Sequence, residues 1–184
     1  MNKLLKAKAK RYFESLDTTG DGRITEADMH NIAERHATAN GFAQNSPDAR
    51  SLRDATVAFW DKNLKQMDTS GNGEISLAEF TTAVEQLAAA GVGQYETLVW
   101  PTADAYFDLC DHDGSGELNQ EEFLRIFGGA ASVPADESIA TFRQLDKDNS
   151  GVLSRAEYHA ALKEFYYSTD PSAVGIHLFG RVDA

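Results

Sequence analysis

Residues Asp111 to Glu122 read DHDGSGELNQEE. Oxygen-bearing side chains stand at positions 1, 3 and 5 of this stretch (Asp111, Asp113, Ser115), glycine at 6 (Gly116), an aliphatic residue at 8 (Leu118) and a carboxylate at 12 (Glu122). Three further stretches repeat the pattern: DTTGDGRITEAD from Asp17, DTSGNGEISLAE from Asp68 and DKDNSGVLSRAE from Asp146. Their sixth positions are Gly22, Gly73 and Gly151, their eighth Ile24, Ile75 and Leu153, and their twelfth Asp28, Glu79 and Glu157. One match in a chain of 184 residues is within the reach of chance; four that agree at both the glycine and the aliphatic position are not.

This is the spacing of an EF-hand, a helix, a twelve-residue ion loop and a second helix. Calcium takes six to eight oxygens at about 2.3–2.6 Å, and alternate loop positions supply them. The glycine at position 6 permits the sharp bend that brings both halves of the loop round one ion. Position 7 offers a backbone carbonyl, so its side chain varies: Arg23, Glu74, Glu117 and Val152. Position 9 (Thr25, Ser76, Asn119, Ser154) suits a water-mediated contact. The aliphatic at position 8 is expected to point inward and to pair with a partner loop in a two-stranded ribbon.

The four loops differ in ligand charge. The third (Asp111, Asp113, Ser115, Glu122) and the fourth (Asp146, Asp148, Ser150, Glu157) carry three ligand carboxylates each. The second (Asp68, Ser70, Asn72, Glu79) carries two, which predicts weaker binding. The first (Asp17, Thr19, Asp21, Asp28) has Thr at position 3 and Asp at position 12. Asp is one methylene shorter than Glu and reaches an ion less easily as a bidentate clamp. Six-coordinate, monodentate geometry is closer to what magnesium prefers. The reading is up to four calcium ions, with the first loop weak or magnesium-selective.

Apolar residues at helical spacing flank each loop. Leu5, Ala9, Tyr12, Phe13 and Leu16 precede the first; Phe59, Trp60, Leu64 and Met67 the second. Tyr106, Phe107 and Cys110 precede the third, and Ile139, Phe142 and Leu145 the fourth. Exiting helices carry Met29, Ile32 and Ala33; Phe80, Val84 and Leu87; Phe123, Ile126 and Phe127; Tyr158, Leu162 and Phe165. These stripes read as core. Lys3, Lys6, Lys8, Lys10 and Arg11 read as the solvated side of the first helix.

The gaps between successive loops are 39, 31 and 23 residues. The last holds only an exiting helix, a turn at Gly128, Gly129 and Pro134, and an entering helix. In the first, Asn40-Gly41 and Ser46-Pro47 mark a linker, with Ser46 as N-cap and Pro47 at the first helical position. An all-α fold of two paired EF-hand lobes, not held apart by a long rigid helix, follows: residues 1–92, residues 93–167 and an apolar tail, 168–184. The boundary is expected at Gly91-Val92-Gly93, and Pro101 is expected to kink the helix entering the third loop. Asp170-Pro171 reads as the start of a further short helix bearing Val174, Ile176, Leu178 and Phe179, which must bury against the chain's own groove.

The formal charge of −12 argues against nucleic acid. Four bound divalent ions would add +8 and leave −4, so most of the acidity is site chemistry. The single cysteine, Cys110, allows no internal disulfide and reads as a small core residue. The start, MNKLLKAKAKRYF, has neither an apolar signal region nor the Met-Gly of myristoylation, and no segment has transmembrane length. A cytoplasmic monomer without a membrane partner is expected. His30, His36, His112, His159 and His177 lack zinc spacing, and no phosphate loop, nucleophile elbow or activated cysteine occurs, so an enzyme is not expected.

Four such loops, the enlarged first gap, the compact second pair and an apolar tail with HLFG at 177–180 resemble the sarcoplasmic calcium-binding proteins and their bacterial calerythrin relatives. The resemblance spans essentially the whole chain and implies one compact globule that buffers calcium or modulates its signals. Members often carry one or two dead loops, whereas none here is plainly dead. With only three methionines (Met1, Met29, Met67) the chain lacks the Met-rich groove of a promiscuous sensor. Buffering is therefore the first expectation; a sensor that opens to a regulatory protein partner is the alternative.

Overall fold

The computed structural model describes residues 2–91, 93, 95–130 and 133–182. Helix α1 (Lys3–Leu16) starts where the Asn2 side chain accepts the Leu4 N–H at 2.8 Å. The first loop leads through β1 (Arg23–Ile24) into α2 (Glu26–Ala39). Gly41, at φ +69°, turns the chain, and α3 (Pro47–Phe59) begins on Ser46, whose hydroxyl accepts from Ala49 N. The helical path then widens to a π turn over Trp60–Leu64 and tightens to a 3-10 turn over Lys65–Met67. Strand β2 (Ile75–Ser76) and α4 (Leu77–Ala90) complete the second hand.

The second half repeats this order with α5 (Trp100–Cys110), β3 (Glu117–Asn119), α6 (Gln120–Leu124), α7 (Ala135–Leu145), β4 (Val152–Ser154) and α8 (Arg155–Tyr167). A π turn, Tyr95–Val99, precedes α5, and another, Arg125–Ala130, follows α6. Strands β1 and β2 pair antiparallel, as do β3 and β4. The position-8 residues face each other, Ile24 with Ile75 and Leu118 with Leu153, and all are fully buried. The loops thus pair one with two and three with four.

One hydrophobic cluster joins both halves: Tyr12, Phe13 and Phe80 from the first share it with Phe107, Phe123 and Phe165 from the second. Tyr12 packs edge-on against Phe80 and Phe165, with ring centroids 5.5 and 5.6 Å apart. In the tail, Leu178 joins this cluster and Phe179 packs against Tyr12, while Ile176 and Val182 form a satellite with Leu4.

Several local expectations change. Pro101 stands where the continuous helical path shifts from the π turn Tyr95–Val99 to α5. Gly128 and Gly129 extend the π turn after α6 rather than form a bend. No helix starts at Pro171: Asp170 Oδ1 accepts both the N–H and the hydroxyl of Ser172, and a 3-10 turn follows only at Val174–His177. Val92, the middle of the expected lobe boundary, lies outside the described residues. Lys8 is not on a solvated face. It is buried at 2% exposure, with Nζ 2.7 Å from the Ser168 carbonyl and 3.3 Å from that of Glu164. It thereby caps carbonyls at the C-terminus of α8, where a cation is favoured.

Candidate metal centres

The loops keep a common frame built by their own polar groups. The first-position aspartate accepts the N–H of the sixth-position glycine in each: Gly22 to Asp17 at 2.8 Å, Gly73 to Asp68 and Gly116 to Asp111 at 2.7 Å, and Gly151 to Asp146 at 3.0 Å. Position 4 needs left-handed backbone. Glycine supplies it in three loops, and Asn149, at φ +56°, in the fourth. The twelfth residue folds back to accept the N–H of position 9 at 2.9–3.0 Å: Asp28 from Thr25, Glu79 from Ser76, Glu122 from Asn119, Glu157 from Ser154. Position 9 is therefore the N-cap of the exiting helix. Its signal was in the sequence all along as Thr/Ser/Asn-x-x-Asp/Glu, the capping box.

Carboxylates converge in two of the loops. In the third, ligand oxygens of Asp111, Asp113 and Glu122 all lie within 4.8 Å of one another; in the fourth, those of Asp146, Asp148 and Glu157 do. Twice a calcium–oxygen distance is about 4.6–5.2 Å, so both sets fit round one ion. Ser115 and Ser150 add a hydroxyl each, and both donate 3.0 Å to the position-7 carbonyls of Glu117 and Val152, which places those carbonyls beside the ligand set. In the second loop, with two carboxylates, Ser70 Oγ donates to Asp68 at 3.0 Å and the Ser70 N–H to Glu79 at 3.1 Å.

The first loop differs. Its carboxylates, Asp17, Asp21 and Asp28, form no comparable group among the described residues. Asp28 is buried at 1% exposure, and both its oxygens accept protein donors. Oδ1 takes Thr18 N, Thr18 Oγ1 and Thr19 N; Oδ2 takes Thr25 N and Oγ1. Thr19 Oγ1 turns to Asp17 at 3.2 Å. The position-7 residues are not idle either: Arg23 ion-pairs with Glu74 across the loop pair. That pairing of opposite charges at position 7 was a readable signal.

These hydrogen bonds favour the ionised form of Asp68, Glu79, Asp113, Asp148 and Glu157. The Ser76 N–H, and then its hydroxyl, bring Glu79 down to about 2; the Gly73 N–H lowers Asp68. The Ser115 and Ser150 hydroxyls lower Asp113 and Asp148. For Glu157 partial burial pulls upward, but the Ser154 and Lys147 donors outweigh it and the carboxyl is lowered. Deprotonated oxygens are what a hard cation binds. Cys110, beside the third loop, goes the other way: burial pushes its thiol up to about 12, so it is inert. His112 in that loop donates its backbone N–H to Glu122 Oε1 at 2.8 Å, and its ring packs on Phe42, 4.9 Å between centroids.

The chain belongs to the EF-hand family. The EF-hand domain pair matches residues 6–85 and 103–163. Calerythrin from Saccharopolyspora erythraea is 24% identical over 159 residues, 86% of this chain and 89% of calerythrin. Obelin from Obelia longissima is 30% identical over 174 residues, 91% of this chain and 86% of obelin. Among solved structures, a sarcoplasmic calcium-binding protein from amphioxus superposes with a TM-score of 0.76 at 18% identity and full coverage of both chains. The calcium-loaded apo form of a coelenterazine-binding protein from Renilla muelleri does so with 0.78 at 21% identity, covering 99% of this chain and 100% of that one. At such identities the structural likeness is one of fold. It agrees with the sarcoplasmic and calerythrin resemblance and with EF-hand calcium binding.

Proposed function

We propose that this protein is an intracellular, monomeric calcium buffer or signal modulator with ion sites in all four loops. The third and fourth are the strong sites, the second is weaker, and the first is weak for calcium or favours magnesium. The observation that carries the reading is the tail. Leu178 is buried at 1% exposure, Phe179 packs on Tyr12, Phe127 and Phe165, and Lys8 pins the end of α8. The apolar surface that a sensor must offer to a target helix is thus taken by the chain itself. No helix of the described residues is long and apolar enough to cross a membrane. The calcium-binding relatives favour a binding role over catalysis.

The sensor reading keeps one supporting observation. Residues next to loops one and two, Leu16, Met29, Met67 and Phe80, line a space between the helices, so filling those loops can alter it. The deciding experiment is calorimetric calcium titration in millimolar magnesium, paired with amide hydrogen exchange of residues 173–182. Unchanged or increased tail protection on calcium uptake supports the buffer. Loss of tail protection on calcium uptake overturns it in favour of a sensor.

A further inference from the structure

The enlarged gap between the first two loops is not a slack linker. Gly41, at φ +69°, reverses the chain after α2, and the Phe42 N–H returns to the Ala37 carbonyl at 2.9 Å. Arg50 and Arg53 of α3 donate to the Asn45 and Gln44 carbonyls at 2.6 and 3.0 Å. Phe42 packs against a small core of Ala37, Ala49 and Leu52 that joins α2 to α3. Its ring also meets the ring of His112, the second residue of the third loop, with 4.9 Å between centroids.

That contact crosses from the first half of the chain to the second. The second-position side chains of the other loops find their partners within their own hand: Thr18 bonds to Asp28 and Asn31, Thr69 to Glu79, and Lys147 pairs with Glu164. His112 finds Phe42. The backbone that this contact steadies is the one that orients the closing carboxylate. Glu122 Oε1 accepts the His112 N–H at 2.8 Å and the Asp113 N–H at 3.4 Å. A second contact reaches the same hand. Thr56 of α3, 1% exposed, shares a 3.1 Å hydrogen bond with the Tyr106 hydroxyl on α5, the helix that enters the third loop. The α2–α3 pair thus touches both the entering helix and the loop. Carboxylate oxygens of Asp111, Asp113 and Glu122 lie within 4.8 Å of one another and repel until an ion arrives. A contact that keeps this loop closed is worth more with the ion than without it, and so raises affinity.

We infer that Phe42 is a positioning residue for calcium binding at the third loop, acting through His112 on Glu122, so that the turn between α2 and α3 and the third ion site are coupled across the two halves of the chain. The coupling rests on the third loop being an ion site, not on the choice between buffer and sensor.

The test follows the Gly116 and Gly151 amide resonances of the full isotope-labelled chain at free calcium concentrations set by a chelator buffer. Wild type, Phe42→Ala, His112→Ala and the double variant are compared. Each single variant should raise the calcium concentration at which Gly116 responds by about twofold to tenfold, the range of one aromatic contact, and Gly151 should move less. In the double variant Phe42→Ala should add nothing once His112 is alanine. If Phe42 served only its own small core, its effect would persist in that background, and such a result overturns the positioning role. His112 is exposed, so its replacement carries little folding risk. A Gly116 response at the same calcium concentration in wild type and His112→Ala overturns the coupling while the ion site stands. No Gly116 response in the wild type overturns the ion site, and the coupling with it. By linkage, filling the third loop should also slow amide exchange in residues 40–46, and Glu122→Gln should remove that slowing. Exchange in this turn that is indifferent to calcium overturns the coupling.

Discussion

Asp28 is one methylene shorter than the glutamates that close the other loops, and its two oxygens are shared among five protein donors. Its carboxylate is satisfied without an ion. Glu122 and Glu157 stand among two further carboxylates each, whose repulsion an ion relieves. Glu122→Gln or Glu157→Gln should therefore lower calcium affinity at its loop by on the order of tenfold or more, and Asp28→Asn by much less. Calorimetric titration of the three variants checks this ordering. At His36 the prediction concerns protons. Burial takes its folded value down to about 4, below the ordinary 6.5, so between those pH values the unfolded chain binds more protons than the folded one. Stability falls as pH drops through that window, by up to about 1.4 kcal/mol per pH unit from this group. Urea melts of wild type and His36→Phe between pH 7 and 4 should show the slope and its reduction. Ligand positions were legible because their spacing is local. That His36 Nδ1 is buried without a hydrogen-bond partner was not, because nothing in the neighbouring sequence of His36 reports what surrounds it in space.

Among elements, the tail segment is held by contacts that tolerate little change. A Cβ on Gly175 would sit 2.3 Å from the Ala161 carbonyl oxygen and 2.7 Å from Glu164 Cβ. Gly175→Ala should push the 3-10 turn off α8 and destabilise the protein by about 1–3 kcal/mol. Thermal melts report the loss, and faster amide exchange in residues 174–182 locates it. Lys8→Met keeps much of the apolar stem but removes the donor to the Glu164 and Ser168 carbonyls. A loss of about 1–3 kcal/mol is expected, again with faster exchange in the tail. Helix ends at the loops and at Ser46 could be read from cap chemistry, a property of a few adjacent residues. The π turns, the late start of the tail helix and the burial of Lys8 could not. Helical spacing sets Lys8, four residues from both Leu4 and Tyr12, apart from Lys6 and Lys10, but a lysine at the edge of an apolar face reads equally as one that reaches out to water, and its partners lie 156 and 160 residues away.

For the whole molecule, charge sets the coupling of ions to folding. At −12 the metal-free chain repels itself, most strongly within the loops. Chelation of calcium should lower the melting temperature. Each site held at a hundredfold excess over its Kd contributes about 2.7 kcal/mol, provided the unfolded chain does not bind. Acid should do the same to the metal-free protein. Asp68, Glu79, Asp113, Asp148 and Glu157 are lowered in the fold, so their stabilising hydrogen bonds are intact above the ordinary carboxylate range. They are lost as pH falls through it, for Glu79 from about 4.5 towards about 2. Circular dichroism in chelator across that range checks the direction. The overall plan of two loop pairs was legible because four loops imply two ribbons. That both pairs share one cluster, with a pocket inside it, depends on how the pairs meet.

The clasp between α1 and the tail has a consequence for how the molecule is made. Leu4 packs with Ile176 and Val182, Lys8 reaches Ser168, and the Arg11 guanidinium lies against Gly180. A ribosome releases α1 long before residues 168–182, so the part of the helix that meets them stays uncovered until they emerge, whereas Tyr12 and Phe13 can pack on Phe80 earlier. Both loop pairs can form and take up ions on the nascent chain. The join between α1 and the tail closes only once residues 168–182 have left the ribosome.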